Sequence, residues 1–131
     1  MEDRTFDWLD YMPWRSAFAE VMDKRFYTLT WLDDELLEGR ACFWGTDEAA
    51  IVATIRTYPT GAKEVHGLIA AGNLHAVVEL IEEAESWGCA QGAIVASVES
   101  RAAWSRALAP SGYAPYQVIV RKELAGGAFV Q

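Results

Sequence analysis

Between Gly39 and Gly72 the hydrophobic pattern of this chain changes period, and that change limits the folds open to it. On either side, apolar residues recur at three- and four-residue intervals, the spacing of one helix face. Inside the window they come in short runs rich in β-branched residues: ACFWG at 41–45, AIVATIRTY from Ala50 to Tyr58, and KEVHGLIAA from Lys63 to Ala71. Thr46-Asp47-Glu48 and Pro59-Thr60-Gly61 are turn chemistry, so the three runs predict an antiparallel meander. Gly72-Asn73 ends the third strand and opens a helix at once. Asn73 is a strong N-cap, Leu74, Val77, Val78, Ile81 and Ala84 share one face, and Gly88 reads as the stop. A buried-type strand, Ala93 to Val98, comes next, so the unit from 63 to 98 should be a parallel, right-handed crossover.

The flanks complete the order. Trp14, Phe18, Val21, Met22 and Phe26 predict a helix from 14 to 26, with Pro13 suited to its first turn. A second helix is expected from Leu29 to Glu38, with Leu29, Leu32, Leu36 and Leu37 inward and Asp33, Asp34 and Glu35 toward water. After the crossover come a short helix (Arg101 to Leu108), a break at 109–112, and a final strand from Tyr116 to Leu124. The expected order is α-α-β-β-β-α-β-α-β: an α/β chain (an α+β mixed sheet) forming one domain over 1–131, with an irregular segment at 1–13.

Composition narrows the function. Of 131 residues, 52% are hydrophobic and six are tryptophan, enough to build a full core. Eleven basic residues against 19 acidic ones give a formal net charge of −8. That balance disfavours nucleic acid, which needs a basic face, and anionic lipid likewise. No apolar run approaches the roughly 20 residues of a membrane span, and Met1-Glu2-Asp3-Arg4 does not begin a secretory signal. The expectation is a cytoplasmic protein, whose Cys42 and Cys89 are buried thiols rather than a disulfide. Trp8 and Trp14, near the less regular N-terminus, are candidates for an interface with a protein partner or a second copy.

Few residues offer chemistry. There is no Ser/His/Asp order, Walker loop or metal-ligand cluster. Glu64 and His66 lie two apart on the third strand and therefore on one face; His66 has the pKa range of a base near neutral pH, while Glu64 is placed at a partly solvated edge. The Gly72-Asn73 junction is either an ordinary strand-to-helix turn or an anion cradle, since a helix N-terminus presents free N–H groups.

Two segments, EVHGLIAAGNLHAVVELIEEAESWGCAQGAIVAS and AAWSRALAPSGYAPYQVIVRKEL, together with the order of elements, resemble the GNAT acyltransferase superfamily over roughly residues 14–124. Members transfer an acyl group from acyl-coenzyme A to an amine. The resemblance implies acetyl-CoA as cofactor, with pantetheine against Leu68, Ile69 and Ala70 and pyrophosphate at Ala71, Gly72, Asn73, Leu74 and His75. It also implies a catalytic group among Glu64, His66, Ser105 and Tyr113. Two departures stand out: the loop has one glycine and no leading Arg or Gln, and Trp104-Ser105-Arg106 occupies the place where the family often has a tyrosine acid. The implied activity is therefore N-acetyltransfer to an unknown amine, small molecule or protein, which the negative charge would favour as a cation. The alternative is a non-catalytic protein of the same fold that acts by binding. Short GNAT-like proteins with a Gly-Arg-Ala segment, here Gly39-Arg40-Ala41, also occur among phage and prophage genes.

Overall fold

The computed structural model describes residues 4–100 and 102–125. The chain divides into two compact units, Met1–Glu99 and Ser100–Gln131. In the first, a short helix α1 (Trp8–Tyr11) runs through a 3-10 turn (Met12–Trp14) into α2 (Arg15–Val21), and α3 follows (Leu29–Leu37). Four strands, β1 (Ala41–Gly45), β2 (Ala49–Thr57), β3 (Lys63–Gly72) and β4 (Ala93–Val98), form one sheet in sequence order, with α4 (Leu74–Ala90) between the last two. The β1–β2 and β2–β3 pairs are antiparallel and β3–β4 is parallel, as the meander and crossover required. The second unit contains α5 (Ala102–Leu108) and a 3-10 turn ending at Gly112, whose φ of 95° is left-handed.

Alternation along β1 shows how the two sheet faces are covered. Phe43 meets Tyr11 and Phe18, whereas its neighbour Trp44 meets Trp87 of α4 at 5.3 Å between ring centroids. The N-terminal helices thus cover one face and α4 the other. The first face holds Tyr11, Phe18, Leu32, Leu36, Ala50 and Val52, all essentially without exposure. The second holds Ile51 and Val65 with Val77, Leu80 and Ala84 of α4.

Several expectations are corrected. The segment 1–13 is not irregular throughout: Asp7 caps α1 by accepting the Leu9 N–H, and Tyr11 is wholly buried. The first long helix stops at Val21 because Met22 turns to extended backbone (ψ 141°), leaving Phe26 outside it and exposed. Leu37 is exposed, and Asp33 is turned inward, accepting from Tyr11 Oη (2.6 Å) and from Arg15 (3.0 and 2.6 Å). Burial pushes the Asp33 carboxyl up, but the Arg15 and Tyr11 hydrogen bonds outweigh it and hold the group below its usual range. Trp8 and Trp14 are half-buried against the first core face, and the Trp14 indole donates to the Thr46 carbonyl at 3.2 Å.

Gly88 does not stop α4, which runs on to Ala90. It is a packing position: a Cβ there would stand 2.7 Å from Val65 Cβ, so only glycine lets the helix lie this close to β3. Cys89, one residue on, faces outward and is exposed, while Cys42 is half-buried; both are free thiols. Finally, Tyr116–Leu124 forms no strand and its Tyr116, Val118, Ile119 and Val120 are exposed. β-propensity describes a fit to a partner strand, and this segment has none among the described residues.

Candidate functional site

The β2–β3 ladder carries one irregularity, and the site is built around it. Val52 pairs with Ile69 but Ala53 pairs with Gly67, so Leu68 is an extra residue in β3. A bulge of this kind redirects the side chains beyond it. As a result His66 faces Thr54 and Glu64 faces Arg56, on the same side of the sheet as Val52 and the N-terminal helices. The same residue ends the pairing on the other side. β4 accompanies β3 from Lys63 to Gly67, opposite Val98, and goes no further. From Leu68 to Gly72 the β3 backbone is paired, among the described residues, only with β2, so the β4 ladder ends next to the bulge.

His66 is only 3% exposed. Its Nδ1 lies 2.8 Å from Ser97 Oγ, across the parallel ladder, and 4.0 Å from Glu64 Oε2. Nε2 has no hydrogen bond among the described residues; Glu99 Oε1 stands 3.7 Å away. Burial, and secondarily the Arg56 guanidinium, push the imidazole below its ordinary pKa of 6.5, against the pull of Glu99 and Glu64. Both causes disfavour the imidazolium relative to the neutral ring. Glu64, expected at a solvated edge, is instead buried and accepts from Tyr58 Oη at 3.1 Å. Arg56 lies 3.5 Å from Glu64 and donates to Glu99 at 3.1 Å, tying the ends of β2, β3 and β4 together.

These groups open onto a cavity of about 220 Å³. His66, Gly67, Leu68 and Ile69 line it from the core strand, Arg56 and Glu99 from the flanking strands, and Asp23, Tyr27 and Trp31 from the segment around the start of α3. The Tyr27 and Trp31 rings lie 4.9 Å apart. Arg56, Ser97 and Glu99 are partners that sequence reasoning missed. Alternation along β2 did put Arg56 on a definable face, but nothing local told which strand would lie beside it.

The loop after β3 behaves differently from its sequence reading. Gly72 has φ 108°, and a Cβ there would sit 2.4 Å from the Glu48 carbonyl oxygen and 2.7 Å from Ala49 Cα. Its glycine is demanded by the neighbouring turn. The Asn73 N–H is spent on Glu48 O (2.9 Å), and the Ala76 N–H on the Asn73 side chain (3.1 Å). Leu74 and His75 keep amides at the exposed first turn of a 17-residue helix, while Ala71 is buried. Ser105 and Tyr113 belong to the second unit: both are half-buried, and the Tyr113 N–H donates to Leu108 O at 3.3 Å, closing the end of α5. Among the described residues, no group of three or more His, Cys, Asp or Glu could hold a metal, and no helix is long and apolar enough to cross a membrane.

No protein-family model and no curated protein sequence matches the chain. Solved structures do. An acetyltransferase of Trypanosoma brucei superposes with a TM-score of 0.69 at 10% identity, covering 92% of this chain and 97% of its own. A predicted acetyltransferase from Clostridium acetobutylicum, solved with acetyl-CoA, gives 0.68 at 9% identity (94% and 96%). An aminoglycoside N-acetyltransferase in complex with CoA gives 0.66 at 14% (93% and 98%). A mixed sheet whose core strand is bulged and open along one edge, in a chain that these structures match nearly end to end, is the fold of the GNAT acyltransferases.

Proposed function

We propose that this protein transfers an acyl group, acetyl in the simplest case, from acyl-coenzyme A to the primary amine of a cationic acceptor. The observation that carries the reading is the buried His66 in the wall of a cavity, beside the point where β3 loses β4 as a partner. The residues present suit the donor. The unpaired β3 edge from Leu68 to Ala71 offers backbone groups to an amide-bearing arm, as an added strand would use them. The Leu74 and His75 amides, at the positive end of α4, suit a phosphate. Acyl-coenzyme A supplies an activated thioester.

His66 does the proton work. Its free Nε2 accepts a proton from the acceptor's ammonium, releasing the amine lone pair for the thioester carbon. A simple alkylammonium has a pKa of about 10 and burial holds His66 below the ordinary imidazole value, so this step is uphill. Glu99 and Glu64 soften that cost by facing the imidazolium. The imidazolium, more acidic than a thiol with its pKa of about 8.5, passes that proton to the departing sulfur, and the second proton of the attacking nitrogen leaves to solvent as the amide forms. A separate tyrosine acid is not required, which accounts for a chain with Ser105 in its usual place; Tyr113, engaged at the end of α5, is the reserve candidate. Glu64 holds Arg56 and Tyr58 in position. The reading brings with it the whole chain as one working domain and a cytoplasmic location.

The test is thiol release from acetyl-CoA in the presence of an amine panel, alongside calorimetric titration with acetyl-CoA alone. Saturation at 100 times the dissociation constant should stabilise the fold by about 2.7 kcal/mol. Binding without turnover of any amine would favour a protein of this fold that acts by binding; no binding at millimolar acetyl-CoA would remove the reading.

A further inference from the structure

The cavity has two places suited to a positive charge. At one end His66, 97% withdrawn from solvent, turns an unbonded Nε2 into the cavity with Glu99 3.7 Å away. The lining also includes Asp23, Tyr27 and Trp31: the Phe26 and Tyr27 amides donate to the Asp23 backbone carbonyl (3.0 and 2.9 Å), and the Tyr27 and Trp31 rings lie 4.9 Å apart. A cavity lined by a carboxylate and two aromatic rings suits an ammonium, by charge and by cation–π attraction. The lining carries two carboxylates, Asp23 and Glu99, against the single guanidinium of Arg56, which is already engaged by Glu99 and Glu64. At about 220 Å³ the cavity is also smaller than the roughly 300–1,000 Å³ of sites for drug-sized ligands.

We propose that the acceptor is a short alkyl diamine, one nitrogen held at His66 and Glu99 for acylation and the other as an ammonium at Asp23, Tyr27 and Trp31. The acceptor role rests on the acyl-transfer reading; recognition of the diamine does not. The experiment is calorimetric titration of the full chain, without acyl donor, with 1,4-diaminobutane and with n-butylamine, at low salt and pH 8. The diamine should bind at least ten times more tightly. Asp23→Asn keeps a side-chain acceptor for the Arg25 N–H, which Asp23 now accepts at 3.1 Å, and should reduce the preference below threefold without weakening n-butylamine. Tyr27→Leu should lower diamine affinity severalfold. Equal affinity for the two amines, an undiminished preference in Asp23→Asn, or no diamine binding at 10 mM would overturn the proposal. Transfer assays separate the two readings. Diamine binding with no acetyl transfer defeats the acyltransferase and leaves the diamine site standing, whereas equal transfer to both amines does the reverse.

Discussion

The two faces of the central sheet are built from the same four strands by opposite rules. On the α4 face, Ile51, Val65, Val77, Leu80 and Ala84 are packed dry, and Gly88 is pressed against Val65. On the other face the apolar cluster around Tyr11, Phe18 and Val52 gives way, past the Leu68 bulge, to Glu64, His66, Arg56 and Glu99 around a cavity. The α4 face maximises burial of apolar surface, which stabilises the fold. The other leaves space and keeps partly desolvated charged groups, which cost stability but, on the acyl-transfer reading proposed above, set up proton transfer. The comparison teaches that stability and chemistry are separated across a thickness of one strand, with the bulge as the switch between them.

The separation can be broken in order of size. Leu80→Ala, on the packed face, should cost about 2–5 kcal/mol in urea unfolding while leaving turnover per folded molecule unchanged. A matching loss of turnover in fully folded protein would show that the faces are coupled. His66→Gln should do the opposite, lowering acyl transfer about 100- to 10,000-fold with little change in the urea midpoint. Loss of acetyl-CoA affinity along with turnover would mean that His66 builds the donor site instead. Gly88→Ala brings a Cβ to 2.7 Å from Val65 Cβ, an overpacking cost of about 1–3 kcal/mol, partly offset by the roughly 1 kcal/mol by which alanine is the better helix former. Gly88→Ser, equally crowded but with less helical gain, should be less stable than the alanine variant.

The smallest effects are on pH dependence. Arg56 holds the His66 pKa down, so Arg56→Gln should move the acidic limb of the activity profile to higher pH; an unmoved limb would assign that limb to another group. Stability follows the same proton. His66 is lowered in the folded state, so below the ordinary 6.5 the unfolded chain binds the extra proton. The contribution is complete above pH 6.5 and is lost as pH falls through the folded value, at no more than about 1.4 kcal/mol per pH unit. The wild type should lose more stability than His66→Gln between pH 7 and 5, and parallel curves would contradict the assignment.

Much of the frame was legible because it depends on local pattern. The β-branched runs and their turns marked β1 to β3 within a residue, and Asn73 capped α4 as its side-chain chemistry predicts. Glu64 and His66 were placed on one face by period-two alternation alone. What failed depended on neighbours distant in sequence. Gly88 has the chemistry of a helix stop, yet its role comes from Val65; Gly72 looks like an anion cradle, yet its φ and clearance are dictated by Glu48 and Ala49. Tyr116–Leu124 has strand composition without a strand to join.

The linear chain therefore determined the three strands of the meander, the long helix after them, the crossover and the excess of negative charge. Those follow from side-chain periodicity, turn chemistry and capping, which act over a few residues. Only the tertiary structure decided that Leu68 bulges, that β4 leaves β3 after Gly67, and that Arg56, Ser97 and Glu99 gather around His66. Such features arise from strand register and from the desolvation that packing imposes. Neither exists until segments separated by 31 or more residues, such as His66 and Ser97, come together.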